Sequence, residues 1–404
     1  MLRGENMDLN GKIIIEGFDW GPAATKVIFM PDKSFDKMGE LNPASFEVEE
    51  LKENDRKSIS GKRTVIDAYY SDESGNCSEK GDFISLDLQF GPEEGSPMFY
   101  DFSTGYNKWF DYHLKVKVSG VWEGSFDNGY FDFPEVEDVN LSGNFTGSEG
   151  HSLRYASFKP KNASEENPRP LVIWLHGMGE GGNNPLIALY GNKVTALFGD
   201  EFQKIMGGAY VLTPQTPTFW LQYNEDKSSW IKNRGQDSIY LKDLKELIDK
   251  FADENYVDKN RIIVGGCSNG GFMTMDLILN YPDYFAAAYP ICEAFYPKKL
   301  KKEQLLSIKD IPMWFVYAKN DMTVKPRIYE KPLLKELKNA GASKITVSEF
   351  KDVHDTSGLF LKNGKPYKYF GHFSWIYFFN NECVEDGTSI WKWMSEINKN
   401  FLTT

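Results

Sequence analysis

Gly266-Cys267-Ser268-Asn269-Gly270-Gly271 places a serine between glycines, after the apolar run Arg261–Val264 and before the helix-like segment Phe272–Leu279. A serine hydroxyl is a weak nucleophile until it is held exposed beside a base, and a tight strand-to-helix turn flanked by small residues holds it that way. The plain alternative is an ordinary Gly-rich turn. Further residues in chain order favour chemistry. His176-Gly177-Met178-Gly179-Glu180-Gly181-Gly182 follows the apolar run Leu171–Leu175, and its glycines free the backbone to aim N–H groups at an oxyanion. The second donor expected is the N–H of Asn269, the residue after the nucleophile. Gly177, Gly179 and Gly182 also match the dinucleotide fingerprint. The next strand, however, runs into Thr213-Pro214-Gln215 rather than an acid, which argues against a nicotinamide or flavin site. Asp321, just past Met313–Ala318, can orient an imidazole; its bland reading is a turn Asn-Asp pair. The base must be a histidine, and two of the five lie beyond Asp321: His354, four residues after Lys344–Phe350, and His372, in Phe370-Gly371-His372-Phe373-Ser374-Trp375. Position alone leaves both open. His176 reads as structural.

Two kinds of periodicity must position these groups. Up to about residue 120 the pattern alternates: Ile84, Leu86, Leu88 and Phe90 interleave with Ser85, Asp87 and Gln89, as do Tyr112, Leu114, Val116 and Val118 with His113, Lys115 and Lys117. Such strands bury one face and wet the other. With Lys12–Glu16, Thr25–Met30, Phe46–Glu50 and Arg63–Tyr70, about seven short strands predict an all-β, immunoglobulin-like sandwich. His113 falls on the polar face. Residues 134–150 are acidic and rich in Gly and Ser, which puts the boundary there and gives domains 1–148 and 149–404. Beyond it, short continuous apolar runs alternate with helical stretches, such as the stripe Leu241, Leu244, Ile248, Phe251 and the stripe Ile390, Trp393, Met394, Ile397. This predicts an open, mostly parallel α/β sheet with helices on both faces, whose sites lie at the carboxyl ends of the strands. Every triad and oxyanion candidate lies after residue 170, so the first domain is expected to supply no catalytic group.

Composition narrows the classes. The 404 residues are 41% hydrophobic and 26% charged, ordinary for a globular chain, and the net charge of -12 argues against nucleic acid and anionic membrane surfaces. No apolar run spans a bilayer. The four cysteines, Cys77, Cys267, Cys292 and Cys383, have no disulfide or metal spacing, and the histidines form no metal-ligand pattern, so neither metal nor cofactor is expected. The compartment is open: cytoplasmic if the chain is complete, secreted if a signal peptide has been removed.

Several motifs together resemble one family: Trp174–Gly182, Asp258-Lys259-Asn260-Arg261-Ile262, Gly266–Gly271, Phe285–Ile291, Asn320-Asp321-x-x-Val324, Gly371-His372-x-x-Trp375 and Trp391-x-Trp393-Met394. The chain resembles α/β-hydrolase esterases of the prolyl-oligopeptidase-like, polyhydroxybutyrate-depolymerase-like group, in particular those with an N-terminal immunoglobulin-like domain. The likeness is specific over about residues 150–404 and loose before that. It implies Ser268 as nucleophile, Asp321 as acid, His372 rather than His354 as base, and the N–H groups of Met178 and Asn269 as oxyanion donors. For His372 to reach Ser268, the long segment after Lys344–Phe350 must fold back. Glu180, Trp220 and Trp375 are the expected substrate-binding residues, while Phe219, Tyr223, Trp230, Phe295 and Tyr296 are aromatics near the site that line a pocket or simply pack. The implied activity is hydrolysis of small to medium acyl esters, free or linked to carbohydrate, plant-wall acetyl and feruloyl esters included. Two alternatives are a prolyl-oligopeptidase-like peptidase, for which the first domain is too short to be a propeller, and a non-catalytic binding protein on the same fold. Homo-oligomerisation through the first domain is a further expectation. Because the five scattered histidines form no metal-ligand pattern, ester turnover should survive exhaustive EDTA treatment. A loss restored by added zinc would contradict that reading.

Overall fold

In the computed structural model, which describes residues 11–30, 41–79, 81–118, 122–126, 129–131, 139–297 and 300–399, the chain divides into two compact units. The first is Met1–Asp101 with Lys108–Phe133; the second is Phe102–Asn107 with Pro134–Thr404. The sequence boundary at 148/149 therefore falls inside the second unit. Residues 134–138 of the expected linker lie outside the described residues. Its later part is the strand Val139–Thr146, which pairs antiparallel with Ser152–Phe158. Alternating Val139, Leu141, Gly143 and Phe145 gave this strand its pattern; the small and polar residues between them made it resemble a linker.

The first unit is an immunoglobulin-like sandwich. One sheet has the order Gly129–Phe131, Gly11–Phe18, Gly21–Phe29, Phe83–Leu88, Val65–Ser71, and the other Trp122–Phe126, Asp111–Val118, Phe46–Asn54, Lys57–Arg63. The predicted alternation is what fills the space between them: Ile84, Leu86, Leu88, Leu114 and Val116 are fully buried, with Ile13, Val27, Phe29, Val48 and Phe126. The expected strand Arg63–Tyr70 breaks at Thr64, so its two parts join different sheets. The break turns the Arg63 guanidinium inward. Its Nη1 donates to Tyr112 Oη (2.8 Å), and its Nη2 donates to the carbonyls of Ala24 (2.9 Å) and Gln89 (2.7 Å). A buried guanidinium is tolerable only with such partners.

The second unit is an α/β-hydrolase fold around an eight-stranded sheet. In chain order its strands are β1 (Val139–Thr146), β2 (Ser152–Phe158), β3 (Arg169–Leu175), β4 (Tyr210–Gln215), β5 (Val257–Cys267), β6 (Ala287–Ile291), β7 (Met313–Ala318) and β8 (Ile345–Phe350). Their spatial order is β1-β2-β4-β3-β5-β6-β7-β8, with β3 to β8 parallel and β2 antiparallel to both its neighbours. Strands β3, β4, β6 and β7 are covered on both faces, which explains their unbroken apolar runs. Helix α1 (Leu241–Glu254) buries Leu244, Leu247, Ile248 and Phe251 on one side, whereas α2 (Asn269–Asn280) is buried along nearly its whole length. The last helix, Ile390–Glu396, buries Ile390, Trp391 and Met394; Trp393 meets Trp314 edge-on instead. Among the described residues no helix is long and apolar enough to cross a membrane.

One buried carboxylate fastens the β1–β2 turn to α1. Asp243 Oδ1 accepts from the Glu149 N–H (2.8 Å), and Oδ2 accepts from the His151 N–H (3.0 Å) and meets His151 Nδ1 (2.7 Å). Asp243→Ala strands these donors, so urea unfolding should show a loss of about 1–3 kcal/mol. Ester turnover by the folded fraction should stay unchanged; an unaltered unfolding midpoint would disprove the fastening role.

Candidate active site

Strand β5 ends at Cys267 and α2 begins at Asn269, so Ser268 alone makes the turn. Its backbone sits at φ 56°, ψ −112°, a conformation non-glycine residues adopt only when their surroundings impose it. The surroundings are close contacts. A Cβ on Gly266 would lie 2.2 Å from the Leu175 carbonyl oxygen, and one on Gly270 only 1.9 Å from it. Three backbone hydrogen bonds then fix the turn: the Ser268 N–H donates to Ile291 O (2.8 Å), and Ser268 O accepts from the N–H groups of Phe272 (2.9 Å) and Ala294 (3.1 Å). Ser268 itself remains partly exposed.

Asp321 follows β7 and is buried. Its Oδ1 accepts the N–H groups of Thr323 (2.8 Å) and Val324 (3.0 Å), which orients the carboxylate, and its Oδ2 lies 2.6 Å from His372 Nδ1. A carboxylate only accepts, so the Nδ1 proton of His372 points at Asp321 and Nε2 carries the lone pair. The two loops lie in direct contact, since a Cβ on Gly371 would come within 2.5 Å of Asn320 Oδ1. Gly371 thus serves close approach rather than loop freedom. Trp375 packs edge-on to the imidazole, ring centroids 5.6 Å apart. His354 is elsewhere: its Nδ1 meets Asp352 Oδ1 at 2.8 Å and Tyr377 Oη at 3.3 Å.

The expected oxyanion loop is the short turn Met178–Glu180 after β3. His176 lies beneath it, fully buried, with burial pushing its pKa down to about 4. As a neutral imidazole it donates from Nδ1 to Gly177 O (2.6 Å) and accepts the Thr216 N–H on Nε2 (3.2 Å), a structural role. Asn269 is the first residue of α2, where backbone N–H groups have no partner within the helix. Its side-chain oxygen accepts the Leu221 N–H (3.0 Å), tying a neighbouring loop to the serine turn. Of the expected substrate-binding residues, Trp220 is fully buried beside His176, while Glu180 is 6% and Trp375 7% exposed. Those settings are packing and positioning ones.

Two residues from early in the chain also belong here, and no motif announced them. Segment Phe102–Asn107 is part of the second unit. Its Tyr106 ring stacks on Phe219 at 4.9 Å, and Asn107 Nδ2 donates to Glu180 Oε1 at 2.7 Å. Two acids after the later strands were equally silent. Glu293 and Glu330 are buried, and burial pushes both carboxyls well above the ordinary range, helped by the charge of Glu330 at Glu293 and by that of Asp321 at Glu330. Cys292 Sγ, Asp321 and His372 present ligand atoms within 4.8 Å of one another, the one such group of metal-ligating type among the described residues. Burial pushes the Cys292 thiol up, so it stays protonated beside an acid–base pair that is already hydrogen-bonded.

Residues 162–364 match the phospholipase/carboxylesterase family model, and residues 10–125 match that of the esterase immunoglobulin-like N-terminal domain. The crystal structure of a thermostable esterase superposes with a TM-score of 0.74 at 23% identity, over 96% of this chain and 99% of that one. Poly(3-hydroxyalkanoate) depolymerase C of Paucimonas lemoignei is 30% identical over 141 residues, which are 32% of this chain. That match spans 33% of the depolymerase, about a third of its length.

The contact at Leu175 makes the serine turn intolerant of volume. Gly270→Ala should lower ester turnover about 100-fold, the scale on which a displacement near 1 Å acts, and should lower the melting temperature. Initial rates and thermal melts check both effects, and a fully active Ala variant would refute the contact's importance.

Proposed function

Because the chain belongs to the phospholipase/carboxylesterase family and is an ester hydrolase, we propose that it works as a serine carboxylesterase through an acyl-enzyme, with Ser268 as nucleophile, His372 as base and Asp321 as its orienting acid. The observation that carries this reading is the 2.6 Å hydrogen bond between His372 Nδ1 and Asp321 Oδ2, formed at the same end of the sheet as the strained serine turn.

The steps follow from the donors and acceptors. His372 Nε2 takes the Ser268 hydroxyl proton as Oγ attacks the ester carbonyl carbon. The carbonyl oxygen becomes an oxyanion, held by the N–H groups of Met178 and Asn269. Asp321 stabilises the imidazolium through Nδ1 without being protonated itself. Collapse breaks the bond to the alcohol oxygen, which leaves with the proton from Nε2. Water, deprotonated by His372, then attacks the acyl-enzyme and releases the acid and free Ser268. The substrates are small to medium acyl esters, with plant-wall acetyl and feruloyl esters, carbohydrate-linked forms included, as the class to assay first.

Ser268→Ala should lower turnover of a p-nitrophenyl ester by about 1,000-fold or more, and His372→Ala by nearly as much, because the triad acts as a unit. His354→Ala should keep most activity, and a proline peptide should remain uncleaved by the wild-type protein. A folded Ser268→Ala protein with near wild-type rates would sink the mechanism. An inactive His354→Ala beside an active His372→Ala would reassign the base.

A further inference from the structure

Glu180 lies in the middle of the oxyanion loop, yet its carboxyl group points into the protein rather than towards solvent. We propose that Glu180 is a positioning residue that sets the Gly177–Gly179 backbone for oxyanion binding, and that Asn107 locks it in place. The inference rests on the catalytic reading given above and assigns the side chains that hold the Met178 donor.

The carboxyl occupies a space made for it. A Cβ on Gly177 would stand 2.9 Å from Glu180 Oε2 and 3.3 Å from Cys267 Sγ, and one on Gly191 would stand 2.6 Å from Glu180 Cγ. The group is thus wedged between the oxyanion turn and the end of β5, one residue before Ser268. Its hydrogen-bond partners are all donors: its own N–H, the Gly177 N–H, and Asn107 Nδ2 at 2.7 Å. Burial raises its pKa to about 7, and these three donors oppose the rise. The amide of Asn107 has a second contact. A Cβ on Gly179 would sit 3.0 Å from Asn107 Nδ2, so the amide lies across that residue too. Gly177 is therefore held by the carboxylate and Gly179 by the amide that binds it. Met178, whose N–H faces the developing charge in the proposed mechanism, is the residue between them. Further along the turn, Gln215 Nε2 donates to Glu180 O (2.8 Å) and the Gly182 N–H to Thr216 O (2.8 Å). The turn is closed on its far side as well.

This arrangement suits a preorganised donor. An oxyanion hole works because its N–H groups need not move as charge develops, and removing one such donor costs about 100- to 1,000-fold in kcat. A loop rich in glycine does not hold its own backbone still. In its ionised form the Glu180 carboxyl is an acceptor-only group that engages N–H groups at its base and supplies the missing rigidity, and a neutral amide of the same shape cannot, because its NH2 would face a donor.

The test is Glu180→Gln in the full chain, assayed with a p-nitrophenyl ester and with a trifluoromethyl ketone, which adds Ser268 to form a tetrahedral oxyanion. We expect kcat to fall about 10- to 100-fold, KM to stay within about threefold, and trifluoromethyl ketone affinity to fall in step with kcat. Asn107→Ala should show the same split at smaller size, about 3- to 10-fold, and should add nothing further on top of Glu180→Gln. An unchanged kcat, or a rise in KM alone, in either folded variant overturns the proposal; the second result would make Glu180 a substrate contact. A fall in kcat with unchanged trifluoromethyl ketone affinity also overturns it. If Glu180→Gln does not fold, the kcat-to-KM split in Asn107→Ala decides the matter. Failure of the catalytic reading is separate, since it appears as an active Ser268→Ala protein whatever Glu180→Gln does.

Discussion

The Leu175 carbonyl oxygen is the fixed point of the second unit. Leu175 pairs in register with Gly266 where β3 meets β5, and Gly270 at the start of α2 is pressed onto the same oxygen. Strand and helix can converge there only because neither glycine carries a Cβ. The chain between them must reverse within three residues, which drives Ser268 into its left-handed conformation. A strained residue of this kind costs on the order of 1–3 kcal/mol and persists only where neighbouring bonds over-determine it. The three backbone hydrogen bonds of Ser268, to Ile291, Phe272 and Ala294, are those bonds. The same convergence aligns the His176–Met178 backbone, which continues directly from Leu175, with the first free N–H groups of α2. Nucleophile geometry and oxyanion geometry are thus one constraint.

A second assembly holds the imidazole. The segment from 351 to 371 runs far from β8 before it returns, and polar knots keep it compact. Asp355 is buried, accepts from Ser357 Oγ (2.7 Å) and the Gly358 N–H (2.9 Å), and donates its own N–H to Tyr367 O (2.8 Å), while the Tyr369 N–H donates to Val353 O (3.0 Å). Beyond His372 comes a helix of five residues, Trp375–Phe379, all buried. A helix so short has no stability of its own. It is held by stacking: Phe378 lies 5.7 Å from Trp174 and 4.9 Å from Tyr289, while Tyr289 Oη donates to Ile173 O. Rings from β3 and β6 therefore anchor the segment that carries His372 to the strands around the serine turn.

These dependencies explain what the sequence made legible. The serine turn, the strand runs and Asp321 were readable because each rests on local pattern: glycine beside serine, unbroken apolar runs, an acid just past a strand. The choice of base was not local. His354 is closer in sequence to β8, but the Asp355 knot and the bonds of His354 to Asp352 and Tyr377 turn it aside, and only a family motif pointed to His372. Trp220 looked like a loop aromatic, yet its loop folds into the core against His176. Asn107 had no signal at all, since a polar turn some seventy residues upstream of the oxyanion loop carries nothing that marks it as a partner for Glu180. The edge strand β1 was hidden by composition: its small and polar residues resemble a linker, and only pairing with β2 shows that its alternation is that of a strand.

Charge around the site obeys the same economy. In the proposed mechanism the reaction creates an oxyanion, so further negative charge around the site opposes it. Glu293 and Glu330 lie close by, Glu330 near enough to Asp321 to feel its charge, and Oε1 of Glu293 lacks a hydrogen-bond partner. Ionising either would bury an uncompensated charge. Burial favours the protonated form of both, and Asp321 is the carboxylate hydrogen-bonded to His372. Such raised values stabilise the fold at pH below the ordinary carboxylate range, and the contribution is lost as pH rises through the raised value. Glu349 on β8 has the opposite sign. Burial opposes ionisation as the largest single influence, but hydrogen bonds from Lys319, Lys331 and Tyr317 together outweigh it and bring the pKa down to about 2, so its contribution is present above 4.5 and is lost as pH falls towards 2. Glu349, with Lys319 and Lys331, therefore gives the edge strand β8 an acid-sensitive ion pair, whereas Glu293 and Glu330 make the buried region around Asp321 one that alkali loosens.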